Sequence, residues 1–255
     1  MQSEDIPAPL RRLWRLPDAP TRVGRPSHLD VDTVVAVAVR LADEGGLDAV
    51  TLPRVAADLG VTAMSLYRYV GSKNELLQLM VDAATTPRVP EPNPDGSWRT
   101  GLRECAVALW ELFRTRPWLP RVPIETAPSG PRQLAWLEQI LATMAATRLD
   151  WGEKMVAVML LSGYVRQSVL LTQDLTTGRD PDEQQAESER RYALAMVDLV
   201  DPQRFPEVAA MFASDVFASA AVPTETTERA DFEAGLEIIL DGIEAQVDVK
   251  APRES

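Results

Sequence analysis

The sequence predicts an all-α protein, with a small N-terminal head of short helices and a larger helical body. Three observations carry that expectation. From about residue 30 onward, apolar residues recur at three- and four-residue spacing, the period of a helix face. The stretches of the head open on side chains suited to capping a helix N-terminus: Asp30, Thr51, Thr62 and Ser72. Nowhere do apolar and polar residues alternate between hairpin turn signals, and no internal repeat is visible.

Taken in order, "DVDTVVAVAVRLADEGG" places Val34, Val37, Ala38 and Leu41 on one face, with Asp30 as cap and Gly45–Gly46 as the stop. A second helix is expected over about 52–59 with Thr51 as cap. Pro53 fits there, because first-turn N–H groups have no intrahelical partner. A third is expected over about 63–69, capped by Thr62. The fourth begins at Ser72, where "SKNE" reads as a capping box of Ser72 with Glu75. The expected organisation is a basic, flexible arm over 1–29, a head over 30–84, a proline-rich connection over 85–97 and a body over 98–250. Helices in the body are expected over about 98–115, 131–148, 151–176, 181–200 and 227–247, with Pro131 and Pro181 at helix starts.

Composition narrows the function classes. The formal net charge of the 255 residues is −12, which taken alone speaks against a nucleic-acid partner. Its distribution reverses that reading. Residues 1–90 hold ten Lys/Arg and eleven Asp/Glu, so nearly all the excess acid lies in the body. Between Arg11 and Leu29 there are five arginines and one acid, Asp18. The single cysteine, Cys105, excludes an internal disulfide and suits a reducing cytoplasm. The N-terminal residues lack the apolar core of a secretory signal, and no uninterrupted apolar run approaches a bilayer span, so no membrane partner is expected.

The stretch "TLPRVAADLGVTAMSLYRYVGSKNELL" is the most informative. Its two middle helices are too short to be stable alone and must pack on the first and fourth. Gly60 turns the chain between them, in the left-handed conformation glycine adopts cheaply. Val55, Leu59, Val61, Leu66 and Val70 then point inward, leaving Ala63, Met64, Ser65, Tyr67 and Arg68 outward. By spacing alone this fits either a helix-turn-helix, whose second helix enters the major groove, or a helical corner whose tyrosines cover a core edge.

The order and spacing of "T-x-x-x-x-A-x-x-L-G-V", "S-L-Y-x-Y-V" and "S-K-x-E-L-L" resemble the DNA-binding head of the tetracycline-repressor (TetR) family over about 29–84. The resemblance implies a three-helix helix-turn-helix head that binds double-stranded operator DNA. By position, Ala63, Met64, Ser65 and Arg68 would face base edges, and Thr51, Tyr67, Tyr69 and Lys73 the backbone. The chemistry agrees: hydroxyls reach phosphate oxygens, Lys73 starts a helix whose free N–H groups favour anions, and arginine can pair bidentately with guanine. Where the tetracycline repressor has a base-reading arginine early in its second helix, this chain has Pro53 and then Arg54. The operator should therefore differ, with Arg54 as a further candidate contact. The arm reads either as a solvated tail or as a minor-groove contact through Arg22 or Arg25.

Less specifically, "RPWLPRVP…SGPRQLAWLEQIL" and "EKMVAVMLLSGYVRQSVLL" resemble the family's effector domain. This implies a cavity for a small organic effector and a homodimer through a bundle of C-terminal helices, about 151–176 and 227–247, with Ile238, Ile239 and Ile243 as seam candidates. Trp110, Phe113, Trp136, Met144, Met155, Met159 and Tyr164 are the candidate lining residues, although such side chains are equally at home in a plain core. His28 is the only histidine, so soft metal sites and histidine-based catalysis lack their residues, and no cofactor is expected. A tetracycline–magnesium inducer is disfavoured too, because the tetracycline repressor uses a body histidine for that ion. The expectation is a ligand-responsive cytoplasmic repressor without catalytic activity. Alternatives are an activator, a regulator answering to a partner protein, or a helical carrier or enzyme with a vestigial head.

Overall fold

The computed structural model describes residues 6–17, 29–85, 97–177, 185–214 and 225–250. Arg22, Arg25 and His28 of the arm lie outside the described residues, and so do the side chains of the acid-rich stretch 178–190. The described residues form α1 (Ala8–Leu13), α2 (Val31–Gly45), α3 (Leu52–Asp58), α4 (Ala63–Val70), α5 (Lys73–Ala84), α6 (Trp98–Thr115), α7 (Pro131–Thr143), α8 (Trp151–Thr177), α9 (Gln185–Leu199), α10 (Pro206–Phe212) and α11 (Glu225–Lys250). No strand occurs among them. They divide into two compact units, one of the residues up to Leu170 with those from Ile239 onward, the other Leu171–Ile238.

The head forms as its caps dictate. Asp30 Oδ1 accepts from Thr33 N at 2.7 Å, and that bond, more than any charge, holds the carboxyl below its ordinary pKa. Thr51, Thr62 and Ser72 accept from the third helical N–H of α3, α4 and α5. The reciprocal half of the capping box at Ser72 is not made. The Ser72 N–H goes to Val70 O at 2.6 Å, and the Glu75 carboxylate pairs with Arg12. Gly60 and Gly71, at φ 65° and 66°, supply the left-handed turns on either side of α4.

Two expectations need correcting. The N-terminal segment is not wholly a solvated tail: α1 docks on α4 and α5, and Leu13 is buried in the head core. The head core is also not closed by the head alone. Trp118, Leu119 and Val122, from the proline-broken connection after α6, complete the cluster around Val34, Leu66, Val70 and Met80. Trp118 Nε1 donates to Asp43 Oδ1 at 2.6 Å, and Arg116 donates to Ala84 O at the end of α5 at 2.9 Å. A cut over 85–97 therefore crosses a shared core, and the body from 91 onward does not carry a self-contained packing.

In the same unit, α7 ends at Thr143 rather than 148: beyond it the N–H groups of Met144, Ala145 and Thr147 turn to carbonyls three residues back, at 3.1 Å each, and the Thr143 and Thr147 hydroxyls add bonds to Ile140 O and Met144 O at 2.7 Å. Helix α8 opens on a reciprocal box, with Glu153 N to Asp150 Oδ1 at 2.9 Å and Asp150 N to Glu153 Oε2 at 2.8 Å. Its far partner is Lys250, 2.9 Å from Glu153 at the end of α11; that pairing lowers the Glu153 pKa and raises that of Lys250. Arg99 of α6 reaches Asp241 and Glu244. By length and composition Trp151–Thr176 would reach across a bilayer, a span missed by counting uninterrupted apolar runs. Its Ala157, Leu161, Val165 and Val169 are buried, whereas Met155, Val156, Met159 and Leu160 are exposed. In the second unit, Tyr192 and Phe212 meet edge to face at 5.8 Å, and Phe232 and Leu236 are buried.

Candidate nucleic-acid interface and effector cavity

Helix α4 owes its position to Leu66 and Val70, both fully buried one turn apart. Val55 of α3 is equally buried, and Arg40 of α2 braces α3 through Asp58 while pairing with Glu44 at 2.9 Å. With its inner face fixed, α4 turns Met64, Tyr67 and Arg68 outward, Met64 being 77% exposed. Thr51, Arg54 and Lys73 are exposed on the flanking helix starts. Lys73 is the first residue of α5 and lies beside its unsatisfied N–H groups. The structure thus brings these six side chains out of the packed core.

The remaining members differ. Ala63, Ser65 and Tyr69 are half-buried. The Ser65 hydroxyl lies 2.9 Å from Thr62 Oγ1, so it is shared with the helix cap. Tyr69 packs against the head core. Thr51 Oγ1 accepts from Arg54 N, and its own proton remains free for a phosphate oxygen. Arg25 lies outside the described residues.

Behind the head lies a cavity of about 240 Å³. Gln78 and Val81 of α5, with Thr85 just after it, wall it on the head side. Leu109, Leu112 and Phe113 of α6, Trp136, Leu137 and Ile140 of α7, and Val158, Ser162 and Arg166 of α8 wall it elsewhere. The loop between α6 and α7 closes it with Ile124, Thr126 and Pro128. The lining is mostly apolar with a few polar groups, as small-molecule sites are. Arg166 is held in place, its Nε donating to Pro120 O at 2.7 Å and an Nη to Val122 O at 2.9 Å. Trp136 Nε1 is buried without a partner.

Of the seven candidate lining residues, only Phe113 and Trp136 reach this cavity. Trp110 and Met144 are buried core side chains, with Arg114 stacked on the Trp110 ring at 4.6 Å. Tyr164 is half-buried on α8 away from the wall, and Met155 and Met159 are 45% and 63% exposed on its outer side. Helical spacing identifies such a side chain as apolar but not which side of a two-faced helix it takes. Arg166, Gln78 and Gln133, the longer polar side chains of the lining, carry no sequence signal beyond their residue type. Among the described residues no three His, Cys, Asp or Glu converge to hold a metal ion.

Comparison with known proteins agrees with both halves. Residues 34–80 match the family described as "Bacterial regulatory proteins, tetR family", and residues 89–247 match "Tetracyclin repressor-like, C-terminal domain". The chain is 35% identical over 249 residues to the HTH-type transcriptional repressor DrrR1 of Streptomyces coeruleorubidus, covering 96% of this chain and 88% of that one. Apo ActR of Streptomyces coelicolor superposes with a TM-score of 0.71 at 27% identity, covering 89% of this chain and 100% of the other. ActR in complex with actinorhodin gives 0.69 at 26%, over 87% and 99%. Its helix-turn-helix head, helical body and match along nearly the whole length show that this chain belongs to the TetR family of transcriptional regulators.

Proposed function

We propose that the chain is a homodimeric repressor that leaves its operator when a small organic molecule fills the cavity behind the head. One observation carries the reading: the cavity wall includes α5, the helix whose first residue is Lys73 and whose third pairs with Arg12 beside the operator-facing end. A ligand that pushes on Gln78, Val81 or Thr85 pushes on the helix that sets the head, so ligand and operator weaken each other reciprocally. DrrR1 is named a repressor, and ActR has been solved with actinorhodin and with (S)-DNPA, which supports an organic effector here. The lining favours a largely apolar molecule whose oxygens face Arg166 and the two glutamines.

On the operator side, Met64, Ser65, Arg68 and Ala63 are the base-facing set, with Arg54 at the margin. Thr51, Tyr67, Tyr69 and Lys73 hold the phosphates. The exposed apolar side of α8, Met155, Val156, Met159 and Leu160, supports a dimer seam rather than a lipid-facing span, because α8 also carries Arg166 bonded into its own unit. On α11, Ile238 is 73% exposed and suits such a seam; Ile243 is buried in its own unit and Ile239 half-buried, so neither supports it equally. Operator DNA places the work of the protein in the cytoplasm.

The test is gel retardation of the DNA flanking its own gene, with and without actinorhodin as the probe, alongside transcription from the same promoter in a deletion strain. Retardation relieved by a compound, with transcription rising on deletion, is the expected result. Transcription falling on deletion would make the protein an activator, and absence of retardation would overturn the reading.

A further inference from the structure

We propose that α1 and Trp14 form a second tie between the operator-facing end of the head and the loop that closes the effector cavity, with Arg12 and Trp14 as positioning residues. The inference rests on the DNA-binding reading above but needs no effector. Helix α1 is anchored by Leu13 in the head core. Arg15 ends it in a left-handed conformation, φ 53°, the only such non-glycine residue among those described. That conformation is secured by Arg15 Nε on Asp32 at 2.8 Å and an Nη on Arg12 O at 2.6 Å.

From this anchor two side chains reach in different directions. Arg12 pairs with Glu75, the third residue of α5, which packs beneath Gly71. Left unpaired, that carboxylate, two residues from Lys73, would leave an uncompensated negative charge at the start of α5 and oppose phosphate binding there. Trp14 Nε1 donates to Ser129 O at 2.8 Å, across 115 residues of sequence. Ser129 belongs to the loop whose Ile124, Thr126 and Pro128 close the cavity, and Asn74 beside Lys73 holds the same loop through Glu125 at 3.0 Å. The loop thus has the cavity on one side and head residues on the other. Arg12 of α1 and Trp14 just after it therefore connect the operator end of α5 to the cavity wall, independently of the covalent path through α5 and α6.

The experiment uses the full chain and an operator selected by it from random duplexes. Amide hydrogen exchange of residues 124–133 is followed with and without operator, and operator affinity is measured across salt concentrations. In the wild type, operator binding should slow exchange in the loop. Trp14→Phe, which keeps an aromatic ring but lacks the indole N–H, should raise basal loop exchange about two- to tenfold, the weight of one hydrogen bond, and diminish the operator-dependent slowing at Ser129 and its neighbours. Arg12→Gln should weaken operator binding about two- to tenfold with the salt slope unchanged, since Arg12 acts through Glu75. Operator-dependent slowing in Trp14→Phe as large as in the wild type overturns the tie, since Asn74 and Asp82 alone would then account for it. A salt slope that falls in Arg12→Gln also overturns it, because Arg12 would then be a direct phosphate contact. Failure of the wild type to bind any DNA would instead sink the functional reading beneath it.

Discussion

Asp82 should be the side chain whose loss the protein tolerates least for its size. Helix α7 begins at Gly130, which has no side chain to cap it, and Asp82 of α5 supplies the missing acceptor across the fold. Its Oδ1 accepts from Arg132 N at 2.9 Å and Gln133 N at 3.1 Å, and the carboxylate is buried. Asp82→Ala leaves two part-buried N–H groups without a partner, at about 1–3 kcal/mol each, so a loss of roughly 3 kcal/mol is expected. For a chain of this length that is a fall of roughly 6–12 °C in Tm. Asp82→Asn keeps an acceptor oxygen and should cost about 1 kcal/mol. The same geometry explains Gly130. Its φ of −80° suits any residue, yet an added Cβ would lie 2.5 Å from Asp82 Cγ. Gly130→Ala should therefore cost about 1–3 kcal/mol alone and clearly less once Asp82 is alanine, where only the 2.9 Å approach to the Cβ of residue 82 is left. Urea unfolding of the four chains, at one fixed protomer concentration because dimerisation adds to apparent stability, completes the cycle. Costs that add to within about 0.5 kcal/mol would refute the trans-cap.

The other expectations concern DNA, assembly and titration. Lys73→Ala should weaken operator and random DNA alike and flatten the salt dependence by about 0.9 in slope per head, read by anisotropy over a salt series. Arg68→Ala should cost about 1–3 kcal/mol per half-site at one base position, so a binding-site selection that returns the wild-type motif would remove Arg68 from base readout. Met159→Arg should leave each protomer folded yet shift sedimentation to a monomer that no longer retards operator. Burial pushes the Cys105 thiol up from 9.0 to about 12, so the unfolded chain sheds this proton first. Stability should then be unaffected below about pH 9 and fall from there toward pH 12, relative to Cys105→Ala; parallel profiles for the two proteins would show that the thiol is not held neutral.

What was legible in the sequence was local. The caps at Asp30, Thr51, Thr62 and Ser72, the glycine turn at Gly60 and the inward pair Leu66 and Val70 follow from interactions within a few residues, and the structure has all of them. What escaped depends on partners far along the chain. Leu13 gains its burial from helices beginning at Ala63 and Lys73, and Trp118 joins a core it does not neighbour in sequence. The cavity was misplaced onto Met155 and Met159 for the same reason, since α8 has apolar residues on both sides and periodicity cannot say which side meets its own chain. The exposed set on and around α4 needs only the head's local geometry, whereas the cavity needs four helices and a loop at once.

Trp118, Leu119 and Val122 also bear on how such regulators can be recombined. A sensor engineer joining this DNA reader to a foreign ligand module would naturally splice in the proline-rich stretch after residue 85. That junction would leave the reader without three of its buried side chains, and with Asp43 and the end of α5 stripped of Trp118 and Arg116. The transplantable piece instead extends through α6 to about residue 122. A hybrid spliced there keeps an intact reader and places the novelty where the effector, not the operator, is chosen.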